Sequence, residues 1–255
     1  MSISALPKNI SAALAALLLA GLLGAAPAQA QRKGAAAPTV NADGSLATPA
    51  PSKPMRLQPL FGGLSPTQAT QVIGEAQLKA IAASFASTTE ASTFFTNKGY
   101  EYLRENQPDT AAYRFNLAWL LNPQNAEAYR GLGIIASGQP TPDAAITLLS
   151  KGFGIAPTST LLMSDLGASY LIRYGQTKKK KDLAMGLTLL QRATAADPTN
   201  ANGWQQLARG LYYQEKYAEA WDAVHKGQNA SVGSLDFDLV TDLLTKLPDP
   251  QGIFK

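Results

Sequence analysis

The residues able to do chemistry in this chain are few, and their types narrow its role at once. His225 is the only histidine, and the 255 residues contain no cysteine. A lone imidazole without a thiolate does not complete a typical zinc site, and no nucleophile elbow or phosphate-cradling glycine loop accompanies it. Beside Val224 it reads as an ordinary helix-surface residue. Glu215, Glu219 and Asp222 are spaced like a solvated helix face rather than like paired general acids and bases. The chain therefore reads as a non-enzyme without metal or cofactor. Thiol catalysis, disulfides and a lipidated N-terminal cysteine are all chemically impossible.

The strongest local charge feature is Lys178-Lys179-Lys180-Lys181. Four adjacent cations disfavour a helix N-terminus, so a projecting loop is expected, with Asp182 capping the helix after it. A solvated turn explains such a run, and so does contact with an anionic partner surface.

The elements that hold these residues are set by a repeat. Pro123 and Pro157 stand 34 residues apart, as do Phe95 and Tyr129, and Gly99 and Gly133. A period of this length marks stacked units that share one core and bind along a surface. In each unit small residues (Gly99, Gly133, Gly167 and Ala208, then Ala111, Ala145, Gly186 and Ala220) alternate with large ones, as a close-packed helical hairpin requires. From Pro157 to Pro198 the spacing stretches to 41, and the excess of seven residues holds the lysine run.

The phrase Phe95-x2-Lys98-Gly99-x2-Tyr102, Ala111-x3-Phe115-x2-Ala118, Pro123 resembles the tetratricopeptide repeat. It recurs as Tyr129-x2-Leu132-Gly133, Ala145-x3-Leu149, Pro157; as Met163-x2-Leu166-Gly167, Gly186-x3-Leu190, Pro198; and as Trp204-x2-Leu207-Ala208, Ala220-x3-Val224. The resemblance implies an all-α solenoid with units at 92–125, 126–159, 160–200 and 201–234. Ser65-Pro66 and the apolar spacing after it predict a leading helix over 66–85, with a connector to 91. Phe237, Leu239, Val240, Leu243, Leu244 and Leu247 predict a cap at 235–247, within a C-terminal segment running to 255.

The ends carry a different message. Residues 1–30 hold one charge, Lys8, an apolar run and Ala28-Gln29-Ala30, the layout of a cleaved export signal; an uncleaved anchor helix is the alternative. Residues 31–64, rich in Ala, Pro, Thr, Gly and Ser, are expected to be a disordered tail. Of 22 basic and 18 acidic residues, Lys8 falls in the leader, and Arg32, Lys33, Lys53 and Arg56 with Asp43 fall in the tail. That leaves 17 of each sign in 61–255, a neutral folded part and a poor match for nucleic acid.

Tetratricopeptide proteins bind peptides or protein segments along the wall made by the first helix of each hairpin. What the resemblance implies here is a wall of Thr96, Tyr100 and Arg104, then Glu127, Arg130 and Ile134, then Ser164, Ala168 and Leu171, then Asn202, Gln205, Arg209, Tyr212 and Tyr213. Thr96 and Tyr100 stand where chaperone-binding members carry a lysine and asparagine clamp. Arg130 and Arg209 are the candidates to grip a carboxylate through their planar forks, with Tyr100 and Tyr212 as amphipathic anchors. The run from Thr110 to Gly133 resembles exported tetratricopeptide proteins of Gram-negative bacteria. The expected partner is thus a protein or peptide of the cell envelope, with the protein periplasmic or secreted. The alternative is an assembly component held at an anionic surface through Lys178–Lys181 and the basic tail.

Overall fold

In the computed structural model, residues 53–231, 233 and 235–255 are described. The expected leader at 1–30, and the tail as far as residue 52, lie outside them. Among the described residues the secondary structure is helical throughout.

Two short helices, α1 (Pro66–Ile73) and α2 (Glu75–Ala83), precede four hairpins. The hairpins are α3 (Thr88–Arg104) with α4 (Pro108–Leu121), and α5 (Ala126–Ser137) with α6 (Asp143–Ile155). Then come α7 (Thr160–Thr177) with α8 (Lys180–Ala196), and α9 (Ala201–Tyr213) with α10 (Tyr217–Ala230). Helix α11 (Phe237–Leu244) follows.

The prolines set the period by a turn. Asn125, Ser159 and Asn200 each donate their backbone N–H to the carbonyl three residues earlier, at Asn122, Ala156 and Asp197. Pro123, Pro157 and Pro198 occupy the second place of these turns, where a fixed φ is favourable. The fourth turn residue then caps the next helix: the Asn125 side chain accepts from Glu127 and Ala128, that of Ser159 from Leu162, and that of Asn200 from Gly203. One four-residue phrase therefore both ends a unit and starts its successor.

The small residues do what the spacing requires. Ala111, Ala145, Ala208 and Ala220 are fully buried. A Cβ placed on Gly99 would lie 2.6 Å from the Phe115 ring, and one on Gly133 would lie 2.6 Å from Leu149. The core divides into two clusters inside the third unit. Leu162, Met163 and Leu166 pack toward the first two hairpins, while Leu171, Leu187 and Leu190 pack toward α9 and α10. At the far end α11 buries Leu239, Val240 and Leu243.

Three expectations change. The leading helix is two helices, because Gly74 breaks it at φ 92° and ψ 123°. Residues 53–64, expected to belong to a disordered tail, are ordered. Buried Asn116 donates from its side chain to the carbonyls of Arg56 and Gln58, at 3.0 and 2.8 Å, and accepts from the Leu60 N–H at 2.9 Å. These bonds and the full burial of Phe61 hold a left-handed turn in which Leu60 and Phe61 have φ of 50° and 53°. That conformation costs about 1–2 kcal/mol per non-glycine residue, which the burial of the ring offsets.

The third change concerns the lysines. The seven extra residues form no projecting loop; they lengthen α7 and α8 to 18 and 17 residues. Lys178 alone makes the turn, in the left-handed region at φ 56°, and Lys179 is the N-cap of α8. Asp182 does not cap. It sits in the first turn, buried, and takes a fork from Arg173 at 3.0 and 2.8 Å.

Candidate partner-binding face of the first helices

First helices of successive units touch one another, α3 with α5, α5 with α7 and α7 with α9, while the second helices stand further apart. The first helices therefore line the inner side of the stack. Polar side chains tie that wall together. The Asn125 amide donates to Ser92 and Thr96 at 2.8 and 2.9 Å, and the Asn200 amide donates to Ser164 at 2.9 Å. Each capping asparagine thus reaches back to the preceding first helix.

A second network runs beside it. Tyr100 donates to the Glu127 carboxylate at 2.7 Å, and its ring meets Phe115 edge-on at 5.0 Å. Arg130 stacks over Tyr100, lies 3.4 Å from Glu127 and donates from Nε to Asp165 at 2.6 Å. Burial pushes the Tyr100 hydroxyl far up, opposed by Arg130 and aided by Glu127. Burial also raises the Asp165 carboxyl, against the pull of Arg130. The Arg130 guanidinium is held charged: burial opposes the charge, and Asp165, Tyr100 and Glu127 outweigh it.

Several expected wall residues are therefore not available to a ligand. Thr96, Ser164, Leu171 and Gln205 are buried, between helices rather than on the wall. Arg130 already holds Asp165, and Arg209 holds Asp236, the N-cap of α11, with Nε 3.1 Å away. Both arginines build the wall and the cap, so a free carboxylate-gripping fork is not present at either. Tyr212 packs with Tyr213 and Tyr217, and Lys178 stacks over Tyr174 and Tyr213 at 5.5 and 5.7 Å. Lys179, Lys180 and Lys181 are exposed.

What the wall presents instead is an apolar stripe on α7. Leu161, Ala168 and Ile172 share a face with Asp165 at helical spacing, Leu161 one turn before it and the other two after it, with Leu161 and Ile172 43% and 46% exposed. Ile134 is half-buried on α5, and Arg104 and Asn202 are exposed at the two ends. Leu161, Asp165 and Ile172 were missing from the expected set. Opposite charges about one repeat apart, Arg130 and Asp165, were the signal that marks them.

His225 is not a surface residue. It is buried, its Nε2 lies 2.7 Å from Asp249, and its ring packs against Trp221 and Phe254, which also pack against each other. Asp249 also accepts the N–H groups of Gln251, Ile253 and Phe254. Burial works against the charged Asp249 carboxylate, and these N–H groups with His225 overcome it, leaving its pKa low. The pair clasps the C-terminal segment. Among the described residues no cluster of three or more potential metal ligands occurs, and no helix is long and apolar enough to cross a membrane.

Solved structures with the same arrangement identify the fold. One is Pseudomonas aeruginosa PilF, 18% identical, with a TM-score of 0.52 over 65% of this chain and 74% of that one. Another is TTC0263, a thermophilic TPR protein of Thermus thermophilus, 17% identical, with a TM-score of 0.51 over 63% and 93%. The fold is that of tetratricopeptide repeat proteins. No protein-family model matches the chain, and no curated protein does.

Proposed function

We propose that the protein is an exported scaffold that holds a helix or extended segment of another envelope protein along its first-helix wall. The observation that carries this reading is the apolar stripe of exposed Leu161, half-buried Ala168 and exposed Ile172 on a wall otherwise closed by hydrogen bonds. Exposed aliphatic residues in a groove with a polar rim suit an amphipathic segment anchored every third or fourth residue. Arg104 and the Tyr212 edge flank it, and Tyr100, Arg130 and Arg209 act by fixing the wall. The role is binding rather than catalysis. His225 is buried in an aromatic stack, and its carboxylate partner is occupied by backbone N–H groups. Export rests on the leader at 1–30.

A photo-crosslinking residue in place of Ile172, expressed in the native cell, tests this. One dominant envelope protein should be trapped there and from Arg104, but not from exposed Gln191 on α8. Equal trapping at all three positions, or trapping at Gln191 alone, would remove the reading. The membrane-surface alternative retains Lys179, Lys180 and Lys181, and predicts sedimentation with anionic vesicles that serine at these positions abolishes.

A further inference from the structure

On the outer side, where second helices spread, α6 and α8 open a wedge of about 470 Å3 floored by α7. Phe153, Leu166, Tyr170, Met185 and Leu189 make it apolar, and Lys181 stands at its edge. Arg192 is exposed and stacked over the lining Phe153, and exposed Lys151 and Lys180 adjoin the lining residues Ser150 and Lys181 in the chain. The nearby acids are already taken, since Asp143 and Asp182 both hold Arg173. The N-terminus of α8 adds its partial positive charge. The wedge thus asks for a large apolar side chain flanked by carboxylates.

The chain itself carries such a feature elsewhere. Helix α11 turns Leu239, Val240 and Leu243 inward, and Phe237 stands outward 70% exposed, the most exposed large apolar side chain among the described residues. Asp238 and Asp242, one turn apart on the exposed side, make no ion pair among the described residues. We propose that α11 of a second copy docks in the α6–α8 wedge, with Phe237 between Phe153 and Met185 and its aspartates against Lys180, Lys181 and Arg192. A buried phenylalanine removes roughly 150–250 Å2 from water. Charge pairs at the rim set orientation more than affinity. One short helix falls below the area of a permanent interface, so the association is weak and concentration-dependent. Donor and acceptor are different surfaces of one chain, so each copy offers both.

Sedimentation velocity on the purified protein, from low micromolar to near-millimolar concentration, tests this. The average mass should rise with concentration for the wild type. Phe237→Glu and wedge-filling Ala184→Trp should each stay monomeric. An equimolar mixture of the two should recover pairs, because each variant keeps one intact surface. Both positions are exposed, and circular dichroism of each variant should overlay the wild type; Thr188→Trp is a second filler should Ala184→Trp lose helicity. Lys180→Glu with Lys181→Glu should weaken association at least tenfold, and chains carrying Asp238→Lys with Asp242→Lys should restore it. A wild type that stays monomeric throughout, or association that survives Phe237→Glu, overturns the proposal. So does capture by phosphatidylglycerol vesicles that needs the lysines but not Phe237.

Discussion

Arg130 and Asp165 are joined across 2.6 Å, and with this bond the first helices of the second and third units become one wall. Their side chains are only 15% and 17% exposed. Removing one partner of such a pair strands the other, a loss of up to about 3–5 kcal/mol when burial is complete and less where water reaches it. Arg130→Ala should therefore lower the melting temperature by several degrees, and Asp165→Ala by a similar amount. Arg130→Met with Asp165→Leu should recover most of the loss. Thermal unfolding of the three variants checks this, and additive losses in the double variant would show that the two residues act separately.

The asparagine bridges make a sharper prediction. Asn125 both caps α5 and donates to Ser92 and Thr96. Asn125→Ala should cost about 1–2 kcal/mol for the cap alone. Asn125→Asp keeps the cap and loses the two donors, leaving a carboxylate against two hydroxyl oxygens. Denaturant titration should therefore place Asp between Asn and Ala; a ranking with Asp equal to Asn would mean the bridge contributes nothing.

Most of the architecture was legible in the sequence because one four-residue phrase repeats, and its proline and capping residue act locally. The third unit was misread for a physical reason. Lysine is a good helix former, and the charge penalty at a helix start is a few tenths of a kcal/mol. Burial of Leu183 and Leu187 outweighs it, so the extra residues lengthened two helices instead of looping out. Arg130 and Arg209 read as free forks in the sequence because their partners lie 35 and 27 residues away. His225 escaped for the same reason, with Asp249 24 residues downstream. The tail up to residue 64 looked unable to fold by composition, yet one buried asparagine in α4 supplies partners for three of its backbone groups.

That stitch predicts a local release. Asn116→Ala should free residues 53–64 while leaving the hairpins folded, since the bonds lost all go to that segment. Limited trypsin digestion should then cut at Arg56 much faster than in the wild type. The helical circular dichroism signal should fall only slightly. Unchanged cleavage would assign the anchoring to Phe61 alone.

Tight packing gives a further check. A methyl on Gly99 meets the Phe115 ring, and a tryptophan at fully buried Ala145 has no space between α5 and α6. Overpacking costs about 1–3 kcal/mol, and more for a residue as large as tryptophan. Gly99→Ala should shift the denaturant midpoint modestly, and Ala145→Trp should abolish a cooperative transition. Gly154, which faces open space, should accept alanine with no loss.

The C-terminal clasp sets an acid-sensitive step. The Asp249 pKa lies below its usual value in the folded state, so the folded protein holds fewer protons on this group than the unfolded chain does near pH 4. Its stabilisation is therefore fully present above the ordinary aspartate range, and it is lost as the pH falls through that range toward the folded value. The Trp221 ring stacks on both His225 and Phe254, and its indole N–H donates to the Leu247 carbonyl, so its fluorescence reports the clasp. Acidification below pH 4 should shift that emission before the helices melt. In Asp249→Asn the shifted emission should already be present at pH 7, and the acid step should vanish. An acid step of unchanged size in Asp249→Asn would place its origin in another carboxylate.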